Sequence, residues 1–332
     1  AFAMGAGAVI AADELNIGGT ADAVGGTGNR VSVLDGGRVE TRDLVIHDGN
    51  ELDLNDGGTF AVNNDFDASK NGFNYNSGGS LEVGGELAGM ASIIQGRRSV
   101  SLEGTNALWD VSSTIYLGYP TDGGGNSLNI GDGGVVDGTH VNVGTYNDHN
   151  TLRISGSTST LTLTGGIGVG GGGDENALYI TNGGSCVSTA GYMGGRGGDN
   201  LIHVSGDGSM WTNSGELFIG LEGDNNSMLI ADGGEVFNQD ALVGRDGGRG
   251  NLVRVSGTGS EWNIDGDVTV GPSGTGNVLE IEDGGLVRSV NGYIGWLEKD
   301  LDNQALVSGG SWENSGDLFV GSGGSNGSVA VS

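Results

Sequence analysis

The chain has a single cysteine, Cys186, so no disulfide can form within it. It has only two prolines. A collagen triple helix is thereby excluded, since it needs proline as well as glycine at every third position, and the 72 glycines follow no such period. Basic residues are scarce, with 13 Lys and Arg against 42 Asp and Glu and a net charge of −29. That balance argues against nucleic-acid binding, because neutralising phosphates takes Lys and Arg and an acidic chain is repelled. No run of 18 apolar residues occurs, so no helix long enough to span a membrane is expected.

What is abundant is glycine, in 72 of 332 positions. Each glycine inside a helix costs about 0.8–1 kcal/mol relative to alanine, which argues against a helical protein. Disorder is disfavoured because 35% of the residues are apolar and alternate in short strand-like runs. The first twelve residues, AFAMGAGAVIAA, are uncharged and apolar and lack a basic n-region. They read as a mature end left after processing, in keeping with secretion. A remnant of a signal peptide is the alternative.

Internal repeats dominate the rest. Asn followed by alternating apolar residues occurs at Asn126, Asn150, Asn176, Asn200, Asn226, Asn251, Asn277, Asn303 and Asn326, at intervals of 23 to 26. An apolar residue followed by glycine recurs at Gly118, Gly144, Gly170, Gly194, Gly220, Gly244, Gly271, Gly295 and Gly321. A third column follows the glycine-rich corners: Trp109, Val136, Leu161, Cys186, Trp211, Val236, Trp262, Val287 and Trp312. Its members alternate between SGxGSxW-like and DGGxV-like corners, so two similar coils of about 25 residues make a unit of about 50. The earlier corners at Val39, Phe60 and Leu81 are expected to continue this column.

This period, with short alternating strands and turn residues between them, predicts an all-β fold: a right-handed parallel β-helix, or β-solenoid. About 12–13 coils of about 25 residues, three short strands in each, make a rod about 60 Å long. The handedness follows from the rule for parallel crossovers. Three regions are expected: an apolar segment or degenerate first coil at 1–12, less regular coils at 13–108, and regular coils at 109–332.

The motifs MLIADGGEV (228–236), LFIG (217–220), RVSGTGSEW (254–262) and LFVG (318–321) closely resemble the autotransporter/PEP-CTERM-associated repeat of bacterial surface proteins. The resemblance is strong over about 102–331 and weak over 14–84. It implies an exported bacterial β-solenoid, extracellular or at the cell surface, and brings no catalytic residues.

Candidate sites are few. The tryptophans of the third column alternate with Val and Cys, which favours a core column over a sugar-stacking stripe. Cys186 reads as a small buried hydrophobe. Trp296, in GWLEKDLDN, lies outside the column and is expected at the surface. The asparagines form a structural ladder, as stacked amides bond along fibrils. Asn225 stands in a glycosylation sequon, a weak signal. The stretch 194–202 fits a calcium nonapeptide but stands alone, and such sites need tandem nine-residue repeats. No cofactor is expected, beyond weak Ca²⁺ binding by surface carboxylates. His47, His140, His149 and His203 sit at different coil positions, and no nucleophile elbow, P-loop or HExxH occurs. The chain is not expected to be an enzyme.

The two ends suggest an assembly. Aligned on Ile17 and Gly18, Ile10 matches the corner residue Val236, while Phe2 and Met4 match Met228 and Ile230. The chain would then open on the strand type with which it closes. Phe2, Met4, Val9 and Ile10 are expected to dock on Val329 and Val331 of the next copy, giving a head-to-tail homopolymer. The expected function is the structural subunit of an extracellular bacterial filament. The alternative is a surface adhesin or autotransporter-like passenger that uses the rod to present a lateral face.

Overall fold

A computed structural model of the chain describes residues 107–119, 124–298 and 301–332, together with 2–4, 8–17, 19–20, 23–24, 29–33, 36–46, 51–54, 59–62, 66–67, 73–75, 80–83, 87–88, 93–94 and 99–104. All its regular structure is β, and apart from the small hairpin Gly19–Thr20 with Ala23–Val24 the strands pair in parallel. The chain is a β-solenoid. In the regular part, first strands begin at Ser127, Thr151, Ala177, Leu201, Ser227, Leu252, Val278, Gln304 and Ser328, 24 to 26 residues apart. They belong to a 16-stranded sheet, and the second and third strands of each coil belong to a 17-stranded sheet. Alternation decides the faces: Leu128 and Ile130 point inward, and Asn129 between them points outward.

Three kinds of corner close each coil, and each uses backbone that ordinary side chains avoid. After the third strand, Gly118, Gly144, Gly170, Gly194, Gly220, Gly244, Gly271, Gly295 and Gly321 all have φ between 63° and 78°. Before the first strand, His149, Glu175, Asp199, Asn225 and Asp302 take φ of 54° to 60°. Between first and second strands, the DGG corners place Asp132, Asn182, Asp232 and Asp283 in the same region, each followed by a glycine with positive φ.

Alternate coils are interlocked at this last corner. The Gly133 N–H donates to Ser159 Oγ at 3.0 Å, Gly183 to Ser209 at 2.9 Å and Gly233 to Ser260 at 3.0 Å. Each serine hydroxyl in turn donates to a carbonyl four residues earlier, as Ser209 does to Ser205 at 2.7 Å. A DGG corner therefore has its partner in an SGxGS corner of the next coil, one physical basis of the 50-residue unit.

Two expectations about the N-terminal half need correcting. Ile10, Val39, Phe60, Leu81, Val100 and Leu128 lie in one continuous ladder, which runs on to Met228. Val39, Phe60 and Leu81 thus stack under the first strands and do not continue the tryptophan column. Ile10 shares a ladder with Met228 and not with Val236. Phe2 and Met4 pair with Val31 and Val33 in a separate four-stranded sheet. The reason is that a glycine-rich corner has the same chemistry wherever it stands in the coil. In the shorter N-terminal coils it precedes the first strand, and later it precedes the second.

Candidate functional site

The third column lies in one parallel register from Trp109 through Val136, Leu161, Cys186, Trp211, Val236, Trp262 and Val287 to Trp312. All are buried except Trp312, which is half-buried in the last coil. Burial pushes the Cys186 thiol up to about 12. Apart from Trp312 at the last coil, these residues offer solvent no ring face and no thiolate.

The asparagine ladder runs through the same coils. Asn126, Asn150, Asn176, Asn200, Asn226, Asn251, Asn277 and Asn303 are all buried. Each Nδ2 donates to the Oδ1 of the next, at 2.7, 2.8, 3.1, 2.9, 3.1, 2.9 and 3.0 Å in order. The same Oδ1 atoms accept a backbone N–H from the coil before, as Asn251 Oδ1 does from Asn226 at 2.9 Å. Asn326 is not a member. Gln304 pairs with Ser328, so Gly327 holds the ladder position, and Asn326 donates from the surface to Asp302 Oδ1 at 2.9 Å. The asparagine stands one residue ahead of the paired position: Asn326 takes the positive-φ place that Asp302 fills one coil earlier.

The expected end-to-end match is not found. The first strand, Phe2–Met4, belongs to the four-stranded sheet, whereas the last, Ser328–Val331, belongs to the 16-stranded one. The side chains of Phe2 and Met4 lie outside the described residues. Val9 is exposed, Ile10 and Val329 pack partly on the core, and Val331 is exposed. His47 also lies outside the described residues. His149 Nε2 lies 2.7 Å from Glu175 Oε2 at the surface. Among the described residues no group of three or more His, Cys, Asp or Glu is arranged to hold a metal ion, and no helix is long and apolar enough to cross a membrane.

One surface stands out: the outward face of the third strands. Its central rung reads Tyr116, Asn142, Gly168, Tyr192, Phe218, Leu242, Thr269, Tyr293 and Phe319 in register. Tyr192 stacks on Phe218 with centroids 5.5 Å apart and planes 4° from parallel. The Arg245 guanidinium lies 5.2 Å from the Phe218 ring centroid. Tyr293 stacks on Phe319 at 4.9 Å and meets the exposed Trp296 edge-on at 4.5 Å. At the other end Tyr116, Tyr119 and the exposed Tyr146 form a chain of rings 4.7 and 5.5 Å apart. Stacked aromatics one strand apart stabilise a sheet, but these also leave ring edges in water along one flank.

Beside this rung runs a polar rail. Asp240 Oδ1 accepts the Asp267 N–H at 2.8 Å, Asp267 Oδ1 accepts the Asn291 side chain at 2.8 Å, and Asn291 Oδ1 accepts the Asp317 N–H at 2.8 Å. Burial by its neighbours, then the charges of Asp267 and Asp317, raise the Tyr293 phenol above its ordinary value. The aromatic rung was available in the sequence, two residues before each landmark glycine in IYLG, GYMG, LFIG, GYIG and LFVG.

The other flanks carry paired charges. Arg254 bonds Glu280 at 2.6 Å and Glu282 at 3.3 Å. Arg288 lies between Glu261 at 2.7 Å and Glu313 at 3.1 Å, one coil to either side. Glu235 and Glu261 stack in register as like charges, and Arg288 pairs with the second of them.

The fold and this flank define a β-solenoid with an aromatic side face. No protein-family model matches the chain and no curated protein matches it. A solved structure, a TibC-catalysed hyper-glycosylated TibA fragment, is similar over 97% of this chain and 99% of its own, with 13% identity and a TM-score of 0.25. So slight a superposition carries nothing across, and the fold rests on the ladders above.

Proposed function

We propose that the chain is an extracellular or cell-surface β-solenoid that acts as a rigid support for a lateral glycan-binding flank, and that it catalyses no reaction. The observation that carries this reading is the outward rung with Tyr192, Tyr293 and Phe319, together with Trp296, beside a rail of Asp and Asn acceptors. Aromatic rings take the apolar faces of sugars, and fixed carboxylate and amide oxygens take their hydroxyls. The rest of the rod supplies rigidity, through parallel pairing in every coil and a buried asparagine ladder. An exported location is supported by the resemblance of the repeats to those of bacterial surface proteins. The lone cysteine is buried, so the fold has no exposed thiol to protect from an oxidising medium.

Head-to-tail filament formation has less support, because the register that would have matched the two ends is not the one present. The deciding experiment is retention of the purified chain on an immobilised glycan array, compared with a variant carrying Tyr192→Ser, Tyr293→Ser and Phe319→Ser. Retention by the parent chain and its loss in the variant is the expected result. Equal retention by both, or none by the parent chain, overturns the reading.

A further inference from the structure

The outward rung has one gap. Between Asn142 and Tyr192 the strand Ile167–Val169 presents Gly168, so one member of the stack is missing. Two strand steps separate the flanking residues, about 9–10 Å. The rung beside it is also low: Gly166 is followed by Ala190, and the position a Cβ of Gly166 would take is 3.3 Å from the Ala190 Cβ and 3.5 Å from Tyr192 Cε2. The floor therefore has no side chain of its own at Gly166 and Gly168, and the Tyr192 ring edge and Asn142 Oδ1 reach over it.

One wall is the Tyr192 ring. Phe218 covers its far face, and the near face looks across Gly168. The other wall is Asn142, whose Oδ1 stands 2.8 Å from where a Gly168 Cβ would be, with His140 beside it resting over Gly165. Among the described residues, neither the Asn142 carboxamide nor the His140 imidazole has a hydrogen-bond partner, and neither does the Tyr192 hydroxyl. The polar side chains that line the gap are thus all free to bind.

We infer that this gap is a binding slot for one neutral pyranose unit of a glycan, stacked on Tyr192 and held through its hydroxyls by Asn142 and His140. The inference rests on the lateral-flank reading and names one of its sites. The height suits it: a single stacked ring occupies one rung, as Phe218 does on Tyr192 at 5.5 Å. A flat apolar ring would leave Asn142 and His140 unpaired, whereas a pyranose has an apolar face for the tyrosine and polar edges for them. The net charge of −29 disfavours an acidic sugar.

The test is saturation-transfer NMR on the full chain with the methyl pyranosides of glucose, galactose and mannose, and with methyl glucuronoside and indole as contrasts. Two variants accompany it. Gly168→Thr fills the slot with the residue already found on this rung at Thr269, and its Cβ would come 2.8 Å from Asn142 Oδ1, so that side chain must give way. Tyr192→Leu removes the platform and has its precedent on the same rung at Leu242. Transfer to at least one neutral pyranoside, about tenfold weaker in both variants at an unchanged melting temperature, is the expected result. The inference is overturned if no neutral pyranoside shows transfer, if only indole or the glucuronoside does, or if transfer persists in either variant. Should Gly168→Thr alter folding, Tyr192→Leu decides alone, since its side chain lies outside the core. Glycan-array retention separates the two readings. If Gly168→Thr is retained like the parent chain while the three-aromatic variant is not, the slot falls and the flank stands. If none of the variants changes retention, both fall.

Discussion

The indole Nε1 of Trp262 donates to Asn238 Oδ1 at 2.7 Å, reaching back into the preceding coil. Trp211 does the same to Ser188 at 3.0 Å and Trp312 to Ser289 at 3.2 Å. The coil that supplies the acceptor also supplies room: a Cβ on Gly191 would lie 2.9 Å from Trp211 Cη2, and one on Gly292 would lie 2.5 Å from Trp312 Cζ2. Ala241 holds the equivalent place before Trp262. Leu161 takes the tryptophan position where the preceding coil has neither provision, with Gly138 for the acceptor and Val141 for the small residue. Ring, acceptor and space vary together.

Removing the acceptor should strand a buried indole N–H. Asn238→Leu is expected to lower stability by about 1–3 kcal/mol. Asn238→Ser, the residue found at 188 and 289, keeps an acceptor and should retain most of it. Urea unfolding followed by tryptophan fluorescence measures both; equal losses would show that the hydrogen bond is not the cause.

Filling the space should be reversible by shrinking the ring. Gly191→Val is expected to cost about 1–3 kcal/mol through overpacking against Leu217, whose Cδ1 would lie 2.6 Å from the added Cβ, and against Trp211 at 2.9 Å. Adding Trp211→Leu recreates the Val141 and Leu161 pair and should recover much of the loss. A double variant no more stable than the single one in thermal unfolding would refute the coupling.

The asparagine ladder predicts a steep contrast between neighbours. Asn226→Ala removes the acceptor of the Asn200 N–H and amide, at 3.1 and 2.9 Å, and the donor to Asp224 O at 3.1 Å. A loss of about 3 kcal/mol or more is expected from these unpaired groups. Asn225→Gly, at an exposed residue with φ of 57°, should cost little. Denaturant titration of both variants checks the difference.

The buried Cys186 thiol, pushed up to about 12, should not react with a disulfide reagent near pH 8 while the chain is folded. It should react stoichiometrically in denaturant. Fast labelling of the native chain would contradict the burial of this column.

Burial lowers the His203 imidazole below its ordinary value; the nearby Asp232 opposes this and Arg153 adds to it. Its folded form therefore takes up a proton less readily than the unfolded chain does. The stability tied to it is complete above the unfolded value of about 6.5 and declines as pH falls from there to the lower folded value. NMR titration of the ring should show a midpoint below about 6.5, and His203→Gln should remove that part of the pH dependence.

Much of the coil was legible without coordinates. Trp211, Cys186 and Val236 shared a column because parallel strands repeat in register, and the landmark glycines marked a corner that demands positive φ. Asn326 was misplaced because a ladder position is defined by pairing, and here the asparagine stands one residue before the paired position, which is Gly327. Val39, Phe60 and Leu81 went to the wrong face for a related reason: DGG reports that the chain turns, not which side of the coil it leaves. The aromatic rung was missed because alternation was read for its inward residues alone.

The sequence by itself determined the period, the strand type and the two alternating kinds of coil, since these follow from local backbone preference and from spacing along the chain. Which columns touch was decided only in three dimensions. Gly244 stands against the carboxamide of Asn277, thirty-three positions away, so closely that a Cβ would overlap it. Gly168 opens a gap only because Asn142 and Tyr192 are its neighbours in register. Such pairs depend on how successive coils stack, and stacking is set by the packing of the core and the pairing of whole strands rather than by any one motif.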